Sequence, residues 1–197
     1  MTDLQTSLLA GLQAQIRPMR AEDLEQVQLI DRLSFSLPWP SSAFRYELEQ
    51  NKSSLLWVAE LVEPTGVSHV IGCLVVWVIL DEAHIATLAV HPDYRGLGIS
   101  RALLAVGLRD AAVRGCLSAT LEVRAGNSIA QALYHHYGFA VVGVRPRYYQ
   151  DNHEDALIMT LPKLDEDYLA WLATQGWKSG LQGQLIPKTV HPTGGAS

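Results

Sequence analysis

The spacing of apolar residues alternates along the chain between helical and extended patterns. After an acidic pair at 22–23, four apolar residues recur at three-residue steps on one side of a predicted helix: Leu24, Val27, Ile30 and Leu33. The run 70–80 is rich in Val, Ile and Trp and predicts a buried strand, which Asp81-Glu82 joins to a second strand over 83–90. We expect these two strands to pair as a hairpin.

The remaining elements are separated by Gly, Pro and Asn signals. Strands are predicted at 16–19, 55–60, 119–123, 141–147 and 156–161, and helices at 41–49, 99–114 and 128–137. The order β-α-α-β-β-β-α-β-α-β-β predicts one α/β (α+β) domain around a mixed sheet. We assign the domain to 16–164, an N-terminal extension to 1–15, and a C-terminal extension to 165–197 that combines a short helix with a flexible tail.

Composition narrows the functional class. The 197 residues are 48% hydrophobic, which is enough for a core without metals or disulfides. The net charge of -5 argues against a protein that grips nucleic acid over its whole surface. Cys73 and Cys116 stand alone in apolar stretches and are predicted to be reduced core residues. Because a signal-peptide pattern and a long apolar run are lacking, we expect a soluble, cytoplasmic protein without a membrane partner.

The strongest chemical feature is a glycine-bearing loop between a buried strand and a helix, YRGLGISR at 94–101. The first turn of a helix leaves backbone N–H groups unpaired and its dipole favours anions, while Gly96 and Gly98 let phosphate oxygens approach the backbone. Arg95 and Arg101 add positive charge. The loop matches neither a Walker loop nor a dinucleotide fingerprint. It therefore predicts another phosphate-bearing ligand, the alternative being a plain strand-to-helix turn.

A second group of residues follows on the next strand and helix. Glu122 interrupts an apolar strand, where a carboxylate serves either as an ion-pair partner or as a general base at a cleft. Asn127 is suited to cap the following helix, and Tyr134 by itself is typical of a half-buried aromatic residue. The residues alone leave these alternatives open.

The loop resembles the hallmark of the GCN5-related N-acetyltransferase (GNAT) superfamily, Q/R-x-x-G-x-G/A at the start of the helix after the fourth strand. Ser100 stands where that hallmark has Gly or Ala. The resemblance implies the GNAT fold, a mixed and mostly antiparallel sheet flanked by helices with a bulge and a splay at the cleft, and acetyl-CoA as co-substrate. It implies cofactor contacts through the backbone of three strand residues and through the loop: Leu88, Ala89, Val90, Arg95, Gly96, Leu97, Gly98, Ile99, Ser100 and Arg101.

A narrower likeness, to the RimI-type ribosomal-protein-alanine N-acetyltransferases, spans about 16–162. It rests on segments in order: SF at 34–35, PW at 38–39, DEAHI at 81–85, LEVR at 121–124, ALY at 132–134, GF at 138–139, RYY at 147–149 and EDALIM at 154–159. Such enzymes acetylate the N-terminal alanine of a small-subunit ribosomal protein. The resemblance implies that Glu122 accepts a proton, that Tyr134 donates one, and that both Asn127 and Tyr134 contact the cofactor. Gly126 replaces the more usual Ser before Asn127.

Acid–base chemistry is consistent with an N-terminal acceptor. An α-amino group has an ordinary pKa of about 8, against about 10.4 for lysine, so it needs less help to become a neutral nucleophile. Carboxylates are weak bases, so we expect burial or a relaying water to assist Glu122. A tyrosine, with an ordinary pKa of about 10, is able to protonate a leaving thiolate. We expect the developing oxyanion to meet a backbone N–H near Ala89 or Val90.

By the same resemblance, two aromatic segments enclose the acceptor. Phe35, Pro38 and Trp39 follow the first helix, and Tyr148 and Tyr149 lie between the last two strands. We expect them to face each other across a slot for a peptide terminus, although each residue alone is equally consistent with a loop packed onto the sheet.

The sequence therefore favours direct transfer of acetyl from acetyl-CoA to a protein N-terminal amine. Two alternatives stay open: an enzyme of the same fold that acts on lysine side chains or a small amine, and a CoA-binding module that regulates a partner without catalysis. No metal is implied. His84, His135 and His136 lack a third donor at ligand spacing and are interpreted as surface or satisfied histidines.

Overall fold

The computed structural model describes residues 13–63, 65–175 and 183–184. The predicted N-terminal extension and the predicted C-terminal tail lie wholly or partly outside these residues. Among the described helices, none is long and apolar enough to cross a membrane.

The secondary structure follows the predicted order closely. The strands are β1 (Gln13–Pro18), β2 (Ser54–Val62), β3 (Ser68–Ile79), β4 (Glu82–Val90), β5 (Ser118–Arg124), β6 (Ala140–Arg145), β7 (Ala156–Leu161) and the two-residue β8 (Gly183–Gln184). The helices are α1 (Leu24–Ser34), α2 (Ala43–Glu49), α3 (Ile99–Val113), α4 (Ser128–His136) and α5 (Glu166–Thr174).

All eight strands form one sheet, in the order β6-β7-β5-β4-β3-β2-β1-β8. Each neighbouring pair is antiparallel except β4 and β5, which are parallel. β3 and β4 form the predicted hairpin, but β3 ends at Ile79 because Leu80 takes a positive φ of 57° in the turn. The predicted α+β fold around a mixed, mostly antiparallel sheet is confirmed.

Helices cover both faces of the sheet. α1 and α2 pack on one face through buried side chains that include Val27, Ile30 and Phe44. α3, α4 and α5 cover the other face, where the larger part of the apolar core lies. Cys73 and Cys116 are buried and free, as predicted, and burial raises the pKa of the Cys73 thiol to about 12. Both therefore serve as small apolar core residues.

The C-terminal helix α5 packs against this second core. Leu172 is buried, and the Tyr168 hydroxyl donates a hydrogen bond to the Tyr137 carbonyl at 2.9 Å. Trp171 packs edge-on against the Tyr137 ring, with centroids 6.0 Å apart. The residues assigned by sequence to a C-terminal extension thus include a helix that contributes to the domain core.

Candidate active site

A gap opens in the middle of the sheet where β4 and β5 diverge. The two strands pair only at their beginnings, from Glu82 with Ser118 to His84 with Thr120. The register of β4 against β3 also shifts between Ile85 and Thr87, which leaves Ala86 as the extra residue of a β-bulge. The splay and the bulge that the GNAT resemblance implied are therefore both present, and the second half of β4 has one edge free of β5.

The hydrogen-bonding direction along β4 decides which backbone groups face this gap. His91 N–H donates to the Ile71 carbonyl at 2.9 Å, and Ala89 lies opposite Cys73 in the same register. Because backbone groups alternate sides along a strand, those of Ala89 face β3, whereas those of Leu88 and Val90 face the gap. The expectation of a free N–H at Ala89 is therefore wrong, since β3 occupies it. The backbone groups of Leu88 and the N–H of Val90 therefore face the gap, whereas the Val90 carbonyl already accepts a hydrogen bond from Arg95.

The glycine loop has the backbone geometry of an anion site. Gly96 and Gly98 take positive φ values of 78° and 81°, and a Cβ at Gly96 would meet nothing within 4 Å. Gly98 is the N-cap of α3, so the first N–H groups of this 15-residue helix point toward the loop. Open space above the left-handed Gly96, next to a helix N-terminus, leaves room for a phosphate group of a ligand.

The two arginines of this loop have different surroundings. Arg95 Nε donates to the Val90 carbonyl at 3.1 Å and its Nη2 donates to Ser34 Oγ at 3.2 Å, so this side chain ties the loop to β4 and α1. Arg101 is exposed in the first turn of α3, and its carbonyl accepts a hydrogen bond from the Tyr137 hydroxyl at 3.0 Å. Both side chains are exposed, but the Arg95 guanidinium group already has these two protein partners.

Glu122 lies on the acceptor side of the gap with two nitrogen-bearing neighbours. Its Oε2 is 3.3 Å from His84 Nε2, and its Oε1 is 3.0 Å from Arg145 Nη2. The side chain of Glu122 is only 11% exposed, against 21% for His84 and 53% for Arg145. The carboxylate is thus held at both oxygens and largely shielded from bulk water, so Glu122 is an ion-pair partner that also lies beside the gap.

Stacked rings hold His84 in place. The Trp77 ring lies on His84 with centroids 5.5 Å apart and an interplanar angle of 13°, and Trp39 stacks on Trp77 at 6.1 Å. The buried Asp31 accepts a hydrogen bond from the Trp39 N–H at 2.7 Å. Trp39 therefore packs inward and supports the imidazole, whereas Phe35 and Pro38 of the same predicted segment are exposed.

Tyr134 lies on α4, on the opposite face of the sheet from Glu122. It is 8% exposed and packs edge-on against Phe139. Burial, reinforced by nearby Tyr149, raises the pKa of Tyr134 well above its ordinary value. Burial also raises the pKa of Tyr149 to about 12, although Arg124 opposes this change. Tyrosine is already protonated at neutral pH at its ordinary pKa of about 10, so the upward shift makes each hydroxyl a weaker acid.

Tyr149 lies beside the end of β5. The guanidinium carbon of Arg124 is 3.8 Å from the centroid of the Tyr149 ring. Tyr148 is more exposed and meets Tyr149 edge-on at 5.3 Å. Asn127 caps α4 by accepting the Ala130 N–H at 3.1 Å.

The other two histidines considered from the sequence have structural contacts. His135 Nδ1 is 3.0 Å from the Phe139 carbonyl, and the His136 ring packs on Tyr137 and Trp171. In the described part of the chain there is no group of three His, Cys, Asp or Glu side chains that could hold a metal ion.

Comparison with known proteins agrees with this geometry. The pattern of the Acetyltransferase (GNAT) family matches residues 24–139. The chain belongs to the GNAT acetyltransferase family. Its catalytic class is therefore acyl transfer, as the RimI-type resemblance predicted.

Two relatives of this GNAT protein carry a more specific name. The chain is 36% identical over 146 residues to a Bacillus subtilis (strain 168) protein provisionally named a ribosomal protein bS18-alanine N-acetyltransferase, covering 74% of this chain and 93% of that one. It also superposes on the crystal structure of the ribosomal-protein-S18-alanine N-acetyltransferase from Escherichia coli with a TM-score of 0.66 and 33% identity, covering 76% and 94% of the two chains.

A second solved structure with a similar fold contains bound ligands. It is the NatC complex bound to Gag peptide and CoA, with a TM-score of 0.66, 27% identity, and coverage of 76% of this chain and 98% of that chain.

The sequence did not predict the neighbours of Glu122. His84, interpreted from the sequence as a surface or satisfied histidine, has the Glu122 carboxylate at 3.3 Å as its partner. No sequence pattern singled out Arg145, which is the last residue of the exposed edge strand β6. Strand alternation is the sequence signal that could have predicted the contact between His84 and Glu122. His84 pairs with Thr120, and Glu122, two residues after Thr120 on β5, points to the same face of the sheet.

Proposed function

We propose that this protein is an Nα-acetyltransferase that transfers acetyl from acetyl-CoA to the N-terminal amine of a protein, by direct attack in a ternary complex. The acceptor we propose is the N-terminal alanine of a small-subunit ribosomal protein, the substrate class named for the relatives from B. subtilis and E. coli. The single observation that carries the catalytic assignment is the Glu122 carboxylate, fixed by His84 and Arg145 beside the gap between β4 and β5.

In this proposal, acetyl-CoA is bound by the second half of β4 and by the start of α3. When bound, acetyl-CoA supplies an activated acetyl group as a thioester. Leu88 and Val90 are placed to hold the pantetheine arm through their backbone, and 96–101 to hold the pyrophosphate. A backbone N–H of Leu88 or Val90 is available to stabilise the oxyanion. Asn127 contacts the cofactor in this proposal.

Proton transfer accompanies the exchange of bonds. Glu122 accepts the proton that the acceptor amine loses as its nitrogen forms the new C–N bond, and His84 stabilises the carboxylate or relays the proton onward. Tyr134 gives its hydroxyl proton to the sulfur as the C–S bond breaks, and solvent returns that proton. Because burial raises the pKa of Tyr134, its hydroxyl is a weak acid, and the transfer depends on the negative charge that builds on the sulfur as the C–S bond breaks.

Aromatic and polar side chains form the acceptor slot. Phe35 and Pro38 on one loop and Tyr148 and Tyr149 on the other line its exposed mouth, while Trp39 supports the floor through Trp77. A peptide terminus is narrow and carries a free amine at its end, which suits a slot leading to a fixed carboxylate. We assign the reaction to the cytoplasm, where ribosomal proteins are made.

The proposal is tested with acetyl-CoA and short peptides that differ at the first residue, each with a free or a blocked α-amine, by following thiol release. We expect turnover with a free N-terminal alanine and none with the blocked peptide. Turnover only on α-blocked, lysine-containing peptides would replace the N-terminal assignment by a lysine acetyltransferase. CoA binding without turnover on any amine would indicate a regulatory module.

A further inference from the structure

Arg124, the last residue of β5, lies where the parts of the acceptor slot meet. Its Nη2 donates to Asp151 Oδ2 at 2.8 Å and to Ser36 Oγ at 3.0 Å. Its Nη1 donates to Glu154 Oε2 at 3.0 Å and to Asn152 Oδ1 at 3.1 Å. Four side chains from two loops therefore share one guanidinium.

These contacts join two loops that are far apart in sequence. Ser36 belongs to the loop between α1 and α2, which carries Phe35 and Pro38, and Asp151 belongs to the loop between β6 and β7, which carries Tyr148 and Tyr149. The Ser36 hydroxyl also donates directly to Asp151. This hydrogen bond, and then Arg124, hold the pKa of Asp151 below its ordinary value, so the carboxylate stays ionised at neutral pH.

Two further contacts extend from the same cluster toward the catalytic residues. The Arg124 guanidinium carbon lies 3.8 Å from the centroid of the Tyr149 ring, which is cation–π geometry. Glu154 Oε1 accepts the Gly126 N–H at 2.7 Å, immediately before the Asn127 cap of α4. Arg124 thus touches the slot wall, while its partner Glu154 touches the beginning of the helix that carries Tyr134.

We propose that Arg124 is a positioning residue that holds the two slot loops together and orients Tyr149 before the acceptor peptide arrives. The inference rests on the proposed function and adds a determinant of acceptor binding to it. Arg124 takes no part in proton transfer. Because Arg124 already joins the loops, less conformational entropy is lost when the peptide binds. The affinity for the peptide is therefore higher than it would be with separate loops.

Arginine is the residue suited to this position. A planar guanidinium offers donors in a fixed fork and remains charged, so it satisfies Asp151 and Glu154 through different nitrogens while stacking on Tyr149. A lysine at position 124 keeps the charge but lacks the fork and the planar face. We therefore expect Arg124→Lys to behave like Arg124→Gln rather than like the wild type.

Kinetics provide the first test. We expect Arg124→Gln to raise KM for an N-terminal alanine peptide by about tenfold or more, with KM for acetyl-CoA nearly unchanged. Ser36→Ala removes the hydroxyl that contacts both Arg124 and Asp151 but leaves Asp151 and Glu154 bound to Arg124. We therefore expect a smaller rise in KM for the peptide. Ser36→Thr keeps the hydroxyl and is expected to restore the wild-type value. Arg20→Gln, in an exposed ion pair with Glu22 at the other end of α1, is the matched control.

Salt adds a readout that a purely structural role would not give. The Arg124, Asp151 and Glu154 side chains are 24%, 20% and 21% exposed, so dissolved ions screen their attraction. We expect KM for the peptide to rise with salt in the wild type and to be much less sensitive to salt in Arg124→Gln. An unchanged salt dependence in that variant would overturn the proposal.

Amide hydrogen exchange tests the same inference without any turnover. In Arg124→Gln we expect faster exchange in both loops, 35–42 and 146–155, with unchanged exchange in β1, β2 and α5. Faster exchange in only one loop, or none, would overturn the coupling. An inactive wild type whose loops still loosen together in the variant would reject the proposed function and keep Arg124 as the link between the loops.

Discussion

Glu122 Oε2 lies 3.3 Å from His84 Nε2, across the point at which β4 and β5 part. Trp77 stacks on the imidazole, and Arg145 holds the other carboxylate oxygen at 3.0 Å. Two groups able to accept a proton therefore share one place in the gap. In the proposed mechanism, this pair takes the proton that the acceptor amine loses.

Replacing Glu122 by Gln removes the proposed proton acceptor while keeping a side chain of the same shape. We expect kcat on an N-terminal alanine peptide to fall by about 10²-fold or more, with little change in acetyl-CoA affinity. Steady-state kinetics and calorimetric titration measure the two quantities. Glu63→Gln is the matched control, because Glu63 makes an exposed contact of the same length, 3.3 Å, with His69. Equal effects of the two substitutions would contradict the assignment.

Replacing His84 by Phe keeps a ring on Trp77 but removes both ring nitrogens. We expect kcat to fall, by less than in Glu122→Gln, because the carboxylate remains. If the two residues act on one proton, the double variant should lose little more than Glu122→Gln alone. Kinetics of the two single variants and the double variant form the measurement. Independent, multiplicative losses would mean that His84 acts separately from Glu122.

Replacing Tyr134 by Phe removes the proposed proton donor from a buried ring. We expect kcat to fall at least tenfold and acetyl-CoA affinity to stay nearly constant. Tyr168→Phe provides the control, since it loses a hydrogen bond to Tyr137 and about 1 kcal/mol of stability without approaching the gap. Unchanged turnover in Tyr134→Phe would remove this hydroxyl from the mechanism.

Replacing Gly98 by Ala tests the anion site. The φ of 81° strains any residue with a Cβ, so we expect a loss of about 1 kcal/mol in stability and, because the N-terminus of α3 shifts, weaker acetyl-CoA binding. Gly66→Ala imposes the same strain at φ 84°, with nothing within 4 Å of the new Cβ. Calorimetric titration should show weaker binding only in Gly98→Ala, and equal affinity in both variants would exclude the loop as the pyrophosphate site.

Acid stability depends on an ion cluster away from the gap. Hydrogen bonds from Arg17 are the main reason that the pKa of Glu60 is lowered from 4.5 to about 2. Its contribution to stability is therefore complete above the unfolded-state pKa and is lost as pH falls from about 4.5 to about 2. We expect Glu60→Gln to lower the free energy of unfolding by about 2 kcal/mol at neutral pH. Below pH 4.5, we expect the free energy of unfolding of this variant to fall less steeply with pH than that of the wild type.

Urea unfolding at stepped pH measures this effect. Glu22→Gln serves as the control, because the Arg20–Glu22 pair is 62% and 70% exposed and such pairs contribute little. If the free energy of unfolding falls with the same slope below pH 4.5 in Glu60→Gln and in the wild type, other carboxylates determine the loss of stability in acid.

Local signals predicted most of the elements because they act within a few residues. Gly115 and Gly138 take positive φ values of 93° and 84° just after the helices that the sequence predicts to end there. The α3 loop and the hairpin of β3 with β4 were predicted on the same kind of evidence. The end of β3 was not, because the positive φ of Leu80 is unusual for a residue with a branched side chain.

From periodicity and short motifs, the sequence by itself determined the order of the helices and strands, and it predicted the anion site at the start of α3. Its resemblance to GNAT enzymes implied the GNAT fold and the candidate acid–base roles of Glu122 and Tyr134. Only the tertiary structure decided which groups meet. Strand register turns Leu88 and Val90, rather than Ala89, toward the gap. The sheet brings His84 to Glu122, and Arg124 joins loops 115 residues apart in sequence. Such contacts depend on strand order and on the splay, which no local pattern encodes.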